Sequence, residues 1–111
     1  VLVAGIAQAV CEGLAFGEAL GLDPESLVPT LAAGAAGNWF LDKRGATMMA
    51  QSYVPGFKSA LLLKDLHIVQ AMAEALGKEY SVVGQSLRDY QALVDAGFGE
   101  EDTSALIRLK R

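Results

Sequence analysis

Cysteine, histidine and tryptophan each occur once in this sequence, and proline only three times. A lone Cys11 can close no internal disulfide and supplies no thiolate cluster for a metal, and a single His67 excludes a histidine-rich metal site. A reducing compartment is therefore expected: the cytoplasm, or the mitochondrial matrix in a eukaryote. Positive charge is also scarce, with 9 Lys and Arg against 13 Asp and Glu and a net charge of −4. That balance argues against nonspecific nucleic-acid binding, and the only basic cluster lies at Arg108 to Arg111. No segment alternates with period two, so no strand is expected. HExxH, CxxC, GxSxG and GxxxxGK[ST] are all missing. Acidic residues read as scattered on solvent-facing positions, with no close pair suited to acid/base work. The chain starts at Val1 with no initiator Met and no basic n-region, which we read as a cut through a longer chain.

What is present is helix. The chain of 111 residues is 52% apolar and 20% charged, the composition of one globular domain with a single core. Phe57 to Lys78 is the stretch expected to organise the rest. Leu62, Leu66, Val69, Ala73 and Leu76 form its apolar stripe, widened by Leu61, Ile68, Met72 and Ala75. His67, Glu74 and Lys78 fall on the opposite arc, with Glu74 and Lys78 placed to pair at i,i+4. Lys64 sits at the margin of the apolar surface beside Asp65, which is turned toward the core side. Its stem can lie along the core edge with the ammonium in water, or the ammonium can reach into a cleft.

Val1 to Leu20 is a second long helix, uncharged before Glu12. Gly5, Ala9, Gly13, Gly17 and Gly21 recur every four positions and form a groove for close packing. Glu12 and Glu18 interrupt the apolar run well short of the ~20 residues of a membrane span, so the expectation is a buried central helix, shared between subunits. Asp23-Pro24 starts the next helix, and Gly34 stops it. Asn38 or its predecessor begins a short helix carrying Trp39, with a break or kink at Gly45. Val54-Pro55-Gly56 is a loop and Phe57 opens the long helix. Ser81 can cap a further helix, and Asp102 a last short one over Thr103 to Leu109. Trp39 and the Tyr53/Phe57 pair can line a pocket or fill the core, and Met48-Met49 reads as packing.

The order of GLAFGEALGLDPESL, NWFLDKRG, PGF, KDL and AGFGEEDTSALI resembles the C-terminal domain of the β-hydroxyacid dehydrogenases. This family includes 3-hydroxyisobutyrate dehydrogenase and tartronate-semialdehyde and glyoxylate reductases, and is related to 6-phosphogluconate dehydrogenase. The resemblance covers essentially the whole chain. It implies an all-α domain, residues 1–111, built on two long helices with several shorter ones, forming the C-terminal half of a two-domain dehydrogenase. A Rossmann domain holding NAD or NADP and a catalytic lysine in a KxxN turn would lie upstream, leaving no catalytic residue in this chain. The resemblance further implies that Lys64 reaches the cofactor, that Asp65 supports it and the substrate end of the site, and that Phe57 faces the substrate. Trp39 would stand near the mouth of the cleft. A homodimer or tetramer is expected, with no metal, no nucleic acid and no membrane. The alternative is a non-catalytic oligomerisation or scaffold relative whose upstream lysine has been replaced.

Overall fold

In the computed structural model, which describes residues 1–111, five α-helices and a closing 3-10 helix form the chain, with no strand. They are α1 (Leu2–Ala19), α2 (Pro24–Ala32), α3 (Trp39–Met49), α4 (Ser59–Ala75) and α5 (Ser81–Leu93), a π-type turn over Val94–Phe98, and the 3-10 helix Thr103–Leu109. The bundle is elongated, 45 × 31 × 23 Å.

The local signals explain most of the boundaries. Gly21 takes φ 77° after α1, so its N–H bonds the Glu18 carbonyl and the Leu22 N–H bonds that of Gly17; only glycine adopts that turn without strain. Asp23 caps α2 by accepting the Glu25 N–H, and Asn38 caps α3 by accepting the Leu41 N–H at 2.9 Å. Gly77, at φ 67°, stops α4. Lys78 therefore lies beyond the helix, and no Glu74–Lys78 ion pair forms. Ser81 is the first helical residue of α5 rather than its cap, which is Tyr80 without a side-chain bond.

Larger expectations change as well. The organising helix is α1, not α4. Ala4, Ala7, Val10, Cys11, Leu14 and Ala15 are buried on one face of α1, and α2, α3, α5 and the closing helix all pack against it. Small residues on this face let four neighbours approach at once, whereas α4 leans mainly on α5. Of the α4 stripe, Leu62, Leu66 and Ala73 are buried, but Leu61, Ile68, Met72 and Leu76 form a second, exposed apolar face.

Gly45 neither breaks nor kinks α3. A Cβ there would stand 2.6 Å from Val28 Cγ1, so the glycine is where α2 and α3 close on each other. Finally, the glycine groove of α1 is divided. Gly17 faces Leu27 and Gly5 faces Val82 inside the domain, whereas a Cβ on Gly13 would meet nothing within 4 Å.

The basic C-terminal cluster is consumed internally. Arg108 bonds Glu101, Lys110 bonds Glu12 and Asp89, and Arg111 bonds Glu18, the Tyr53 hydroxyl and the Met48 carbonyl. Tyr53 is thereby committed to the core, and Met48 is fully buried beside Cys11.

Candidate active-site recess

Phe57 precedes α4 rather than opening it, because Asp102 claims the backbone ahead of the helix. Asp102 is 1% exposed. Its Oδ1 accepts the Gly56 and Phe57 N–H groups at 2.9 and 3.1 Å, and its Oδ2 accepts the N–H and hydroxyl of Ser104. The Phe57 carbonyl in turn accepts the Thr103 N–H, the Asp102 N–H bonds the Tyr53 carbonyl, and the Ser59 hydroxyl bonds the Asp102 carbonyl at 3.1 Å. The PGF loop and the DTS turn are thus one unit, which gives a physical reason for both short motifs. Burial alone would push the Asp102 carboxyl up. The bonds from Ser104, Phe57 and Gly56 outweigh it and hold the group below the usual carboxylate range.

Arg44 on α3 completes the unit. Its Nε lies 3.2 Å from Asp102 Oδ2, and its guanidinium carbon stands 5.5 Å from the centre of the Trp39 ring. Gly56 leaves room for this arrangement, since a Cβ there would crowd Arg44 Nη2 and make the guanidinium shift.

Above this floor opens a recess of about 430 Å³, walled by Val3, Ile6, Trp39, Phe40 and Phe57, with Arg44 and Asp102 at its polar side. The volume is that of a small-molecule site. Trp39 is 65% exposed and Phe57 36%, so both edges stand at the open lip. The structure therefore brings Trp39 and Phe57 together. It places Lys64 and Asp65 elsewhere: Lys64 lines a shallow depression of α4 with Ala60, Leu63, His67 and Ile68. Lys64 Nζ is 3.2 Å from Asp65 Oδ1, with the two side chains 63% and 50% exposed. Asp65 is half-buried on α4 and makes no hydrogen bond to the rest of the domain. No group of three His, Cys, Asp or Glu side chains is close enough to hold a metal ion.

Arg44 and Asp102 were not singled out for this site by the sequence. The signal for Asp102 was its capping position, which is real; its bonds to residues 45 and 46 positions away are invisible to local pattern.

Residues 1–110 match the family model described as the NAD-binding domain of NADP-dependent 3-hydroxyisobutyrate dehydrogenase. The chain belongs to this family. The 3-hydroxyisobutyrate dehydrogenase-like proteins are NAD(P)-dependent hydroxyacid dehydrogenases. The 2-hydroxy-3-oxopropionate reductase of Escherichia coli is 31% identical over 108 residues, which cover 97% of this chain and 37% of that protein. The NAD-dependent L-serine dehydrogenase of Pseudomonas aeruginosa is 27% identical, over 97% of this chain and 39% of the relative. A crystal structure of 3-hydroxyisobutyrate dehydrogenase from Salmonella typhimurium superimposes with a TM-score of 0.88 at 26% identity, covering 97% of this chain and 38% of that one. The chain thus spans a little over a third of the length of these relatives, and its all-α architecture is that of the Salmonella enzyme over the superimposed stretch.

Proposed function

We propose that this chain is the C-terminal helical domain of an NAD(P)-dependent dehydrogenase or reductase acting on a small 3-hydroxyacid or its semialdehyde. The observation that carries the reading is the family match along residues 1–110, joined to an open, apolar recess whose lip is formed by Trp39 and Phe57. In this reading an upstream Rossmann domain holds most of the cofactor and supplies the catalytic lysine, while this domain closes the cleft and builds the oligomer.

The residues present fit a subsidiary share in cofactor binding. No Gly-rich phosphate loop occurs here, but Lys64 offers an exposed ammonium on a rigid helix, tethered only to its neighbour Asp65. Such a pair is weak in water and can open so that Lys64 donates to phosphate, ribose or carboxylate oxygens. Bound NAD(P) supplies the hydride acceptor or donor. Phe57 and Trp39 exclude water from the substrate carbon and orient it, and Phe57 is held to that task by the Asp102 bonds to its backbone.

Steady-state kinetics of the full-length protein, with cofactor and substrate varied separately, tests the assignment. Lys64→Ala is expected to raise the cofactor KM by the ~1–3 kcal/mol of a lost charge-assisted hydrogen bond. Asp65→Asn is expected to act mainly on kcat or on the substrate KM. An unchanged cofactor KM in Lys64→Ala removes α4 from the cleft. A KxxN turn upstream of Val1 favours the enzyme, and a protein without it the scaffold.

A further inference from the structure

We propose that Arg44 is an anion-binding residue of the recess, its terminal Nη2 taking the carboxylate of the small acid while Trp39 and Phe57 enclose the carbon skeleton. The proposal rests on the dehydrogenase reading for the identity of the ligand, and on the recess itself for its chemistry.

The chemistry follows from which polar groups are already spent. Asp102 Oδ1 accepts two N–H groups, and Oδ2 accepts Arg44 Nε together with the N–H and hydroxyl of Ser104. Five donors saturate a carboxylate that has about four lone-pair sites, so Asp102 has no capacity left for a ligand hydroxyl. The Gly56 and Phe57 N–H groups are spent on Asp102, and the Thr103 N–H on the Phe57 carbonyl. Arg44 differs. Its Nε is used on Asp102 and its Nη1 makes a long 3.4 Å bond to the Lys43 carbonyl, while Nη2 has no protein partner.

The guanidinium is also fixed in place. It stands over Trp39, is anchored through Nε to the buried Asp102, and lies close to the backbone of Gly56. A planar fork held in this way loses little freedom on binding a carboxylate. An unpaired N–H edge beside apolar walls is satisfied best by an acceptor that carries charge. The recess therefore selects a ligand with an anionic end and a short apolar body. A neutral alcohol or aldehyde leaves Nη2 unpaired, and a cation meets a guanidinium.

Trp39 is the only tryptophan of this chain and lines the recess beside Arg44, so its fluorescence reports binding independently of turnover. The probes are 3-hydroxypropionate and its methyl ester, titrated into the full-length protein with the reduced cofactor NAD(P)H, which cannot oxidise them, and with the Trp39→Phe variant isolating the Trp39 signal. The acid is expected to change Trp39 emission saturably and the ester at least about tenfold more weakly, the scale of one charge-assisted bond. Arg44→Met is expected to abolish that preference, raising the KM for the acid while leaving the cofactor KM unchanged. Arg44→Lys keeps a positive charge against Asp102 but lacks the fork, and is expected to weaken the acid severalfold while still preferring it to the ester.

Equal binding of acid and ester by the wild type overturns the proposal, as does a preference that survives in Arg44→Met. So does an absence of any saturable Trp39 response. A rise in cofactor KM with an unchanged acid KM also overturns it, and assigns Arg44 to a cofactor phosphate instead. Should Arg44→Met lose its helical circular dichroism, Arg44→Lys decides, and an unchanged affinity for the acid in that variant overturns the proposal. If the wild type turns over no hydroxyacid with either cofactor, the dehydrogenase reading falls, and the fluorescence titration still settles Arg44.

Discussion

Asp102 ties three separate stretches of chain together: the loop before α4, the start of the closing helix, and Arg44 on α3. Its carboxyl is held below the ordinary value of ~3.9. A depressed folded-state pKa contributes stability that is present above the unfolded value and is lost as pH falls through the folded one. Asp102→Asn keeps the shape but gives up charge-assisted bonds, so it is expected to cost about 1–3 kcal/mol at pH 7. Urea denaturation at pH 7 and pH 3 checks this: the gap between variant and wild type should narrow in acid, and a gap that stays constant would contradict the account. Cys11 is the opposite case, since burial pushes its thiol up to about 12. Native protein should therefore leave Cys11 unalkylated by iodoacetamide near neutral pH, with modification appearing only on unfolding. Sequence periodicity placed Cys11 in a helical apolar run, and its partners are the expected kind. It read Asp102 as a helix cap and nothing more, because a cap and a buried hub look identical over four residues.

At the scale of elements, the glycines of α1 and α3 do different work, although they read alike in sequence. Gly13 has a helical backbone and open space around it, so Gly13→Ala should stabilise the domain by up to ~1 kcal/mol through helix propensity. Gly45→Ala forces a methyl group onto the stiff Val28 side chain and should destabilise by about 1–3 kcal/mol. Thermal denaturation followed by circular dichroism separates the two, and equal shifts would mean the α2–α3 approach is not the constraint. If Gly13→Leu in the full-length protein disturbs association, as light scattering would show, the groove at Gly13 is used between chains. The caps at Asp23, Asn38 and Asp102 were readable because each is a local bond of two or three residues. Gly45 was misread because its reason lies on another helix. The exposed face of α4 was assigned to the core since apolar spacing alone does not say which of two faces finds a partner.

Over the whole molecule, many large apolar side chains stay open to solvent. Leu2, Phe16 and Leu20 on α1, Ile68, Met72 and Leu76 on α4, and Trp39 at the recess all stand open. In the proposed reading these faces meet the upstream domain or a second chain; the chain spans just over a third of its relatives. Residues 1–111 alone should bind NAD(P) only weakly, because in the proposed reading Lys64 is the one cofactor contact this chain supplies. Calorimetry checks this, and tight saturable binding by the isolated chain would place the cofactor site here. The length of α1 could not have been chosen over α4 as the centre from hydropathy, since both are long and apolar; four neighbours packing on α1 is a property of the assembled bundle.

Val1 and Arg111 lie toward opposite ends of one rod. Val1 enters at the start of α1, while Arg111 is clasped to Glu18 near its other end, roughly 25 Å away at 1.5 Å per residue. The recess is built on the first two turns, from Val3 and Ile6. A fluorophore, affinity handle or surface tether fused after Arg111 would thus emerge on the side away from the recess. Immobilised through that end, the protein can be titrated with small acids on a sensor chip without the linker entering the binding face.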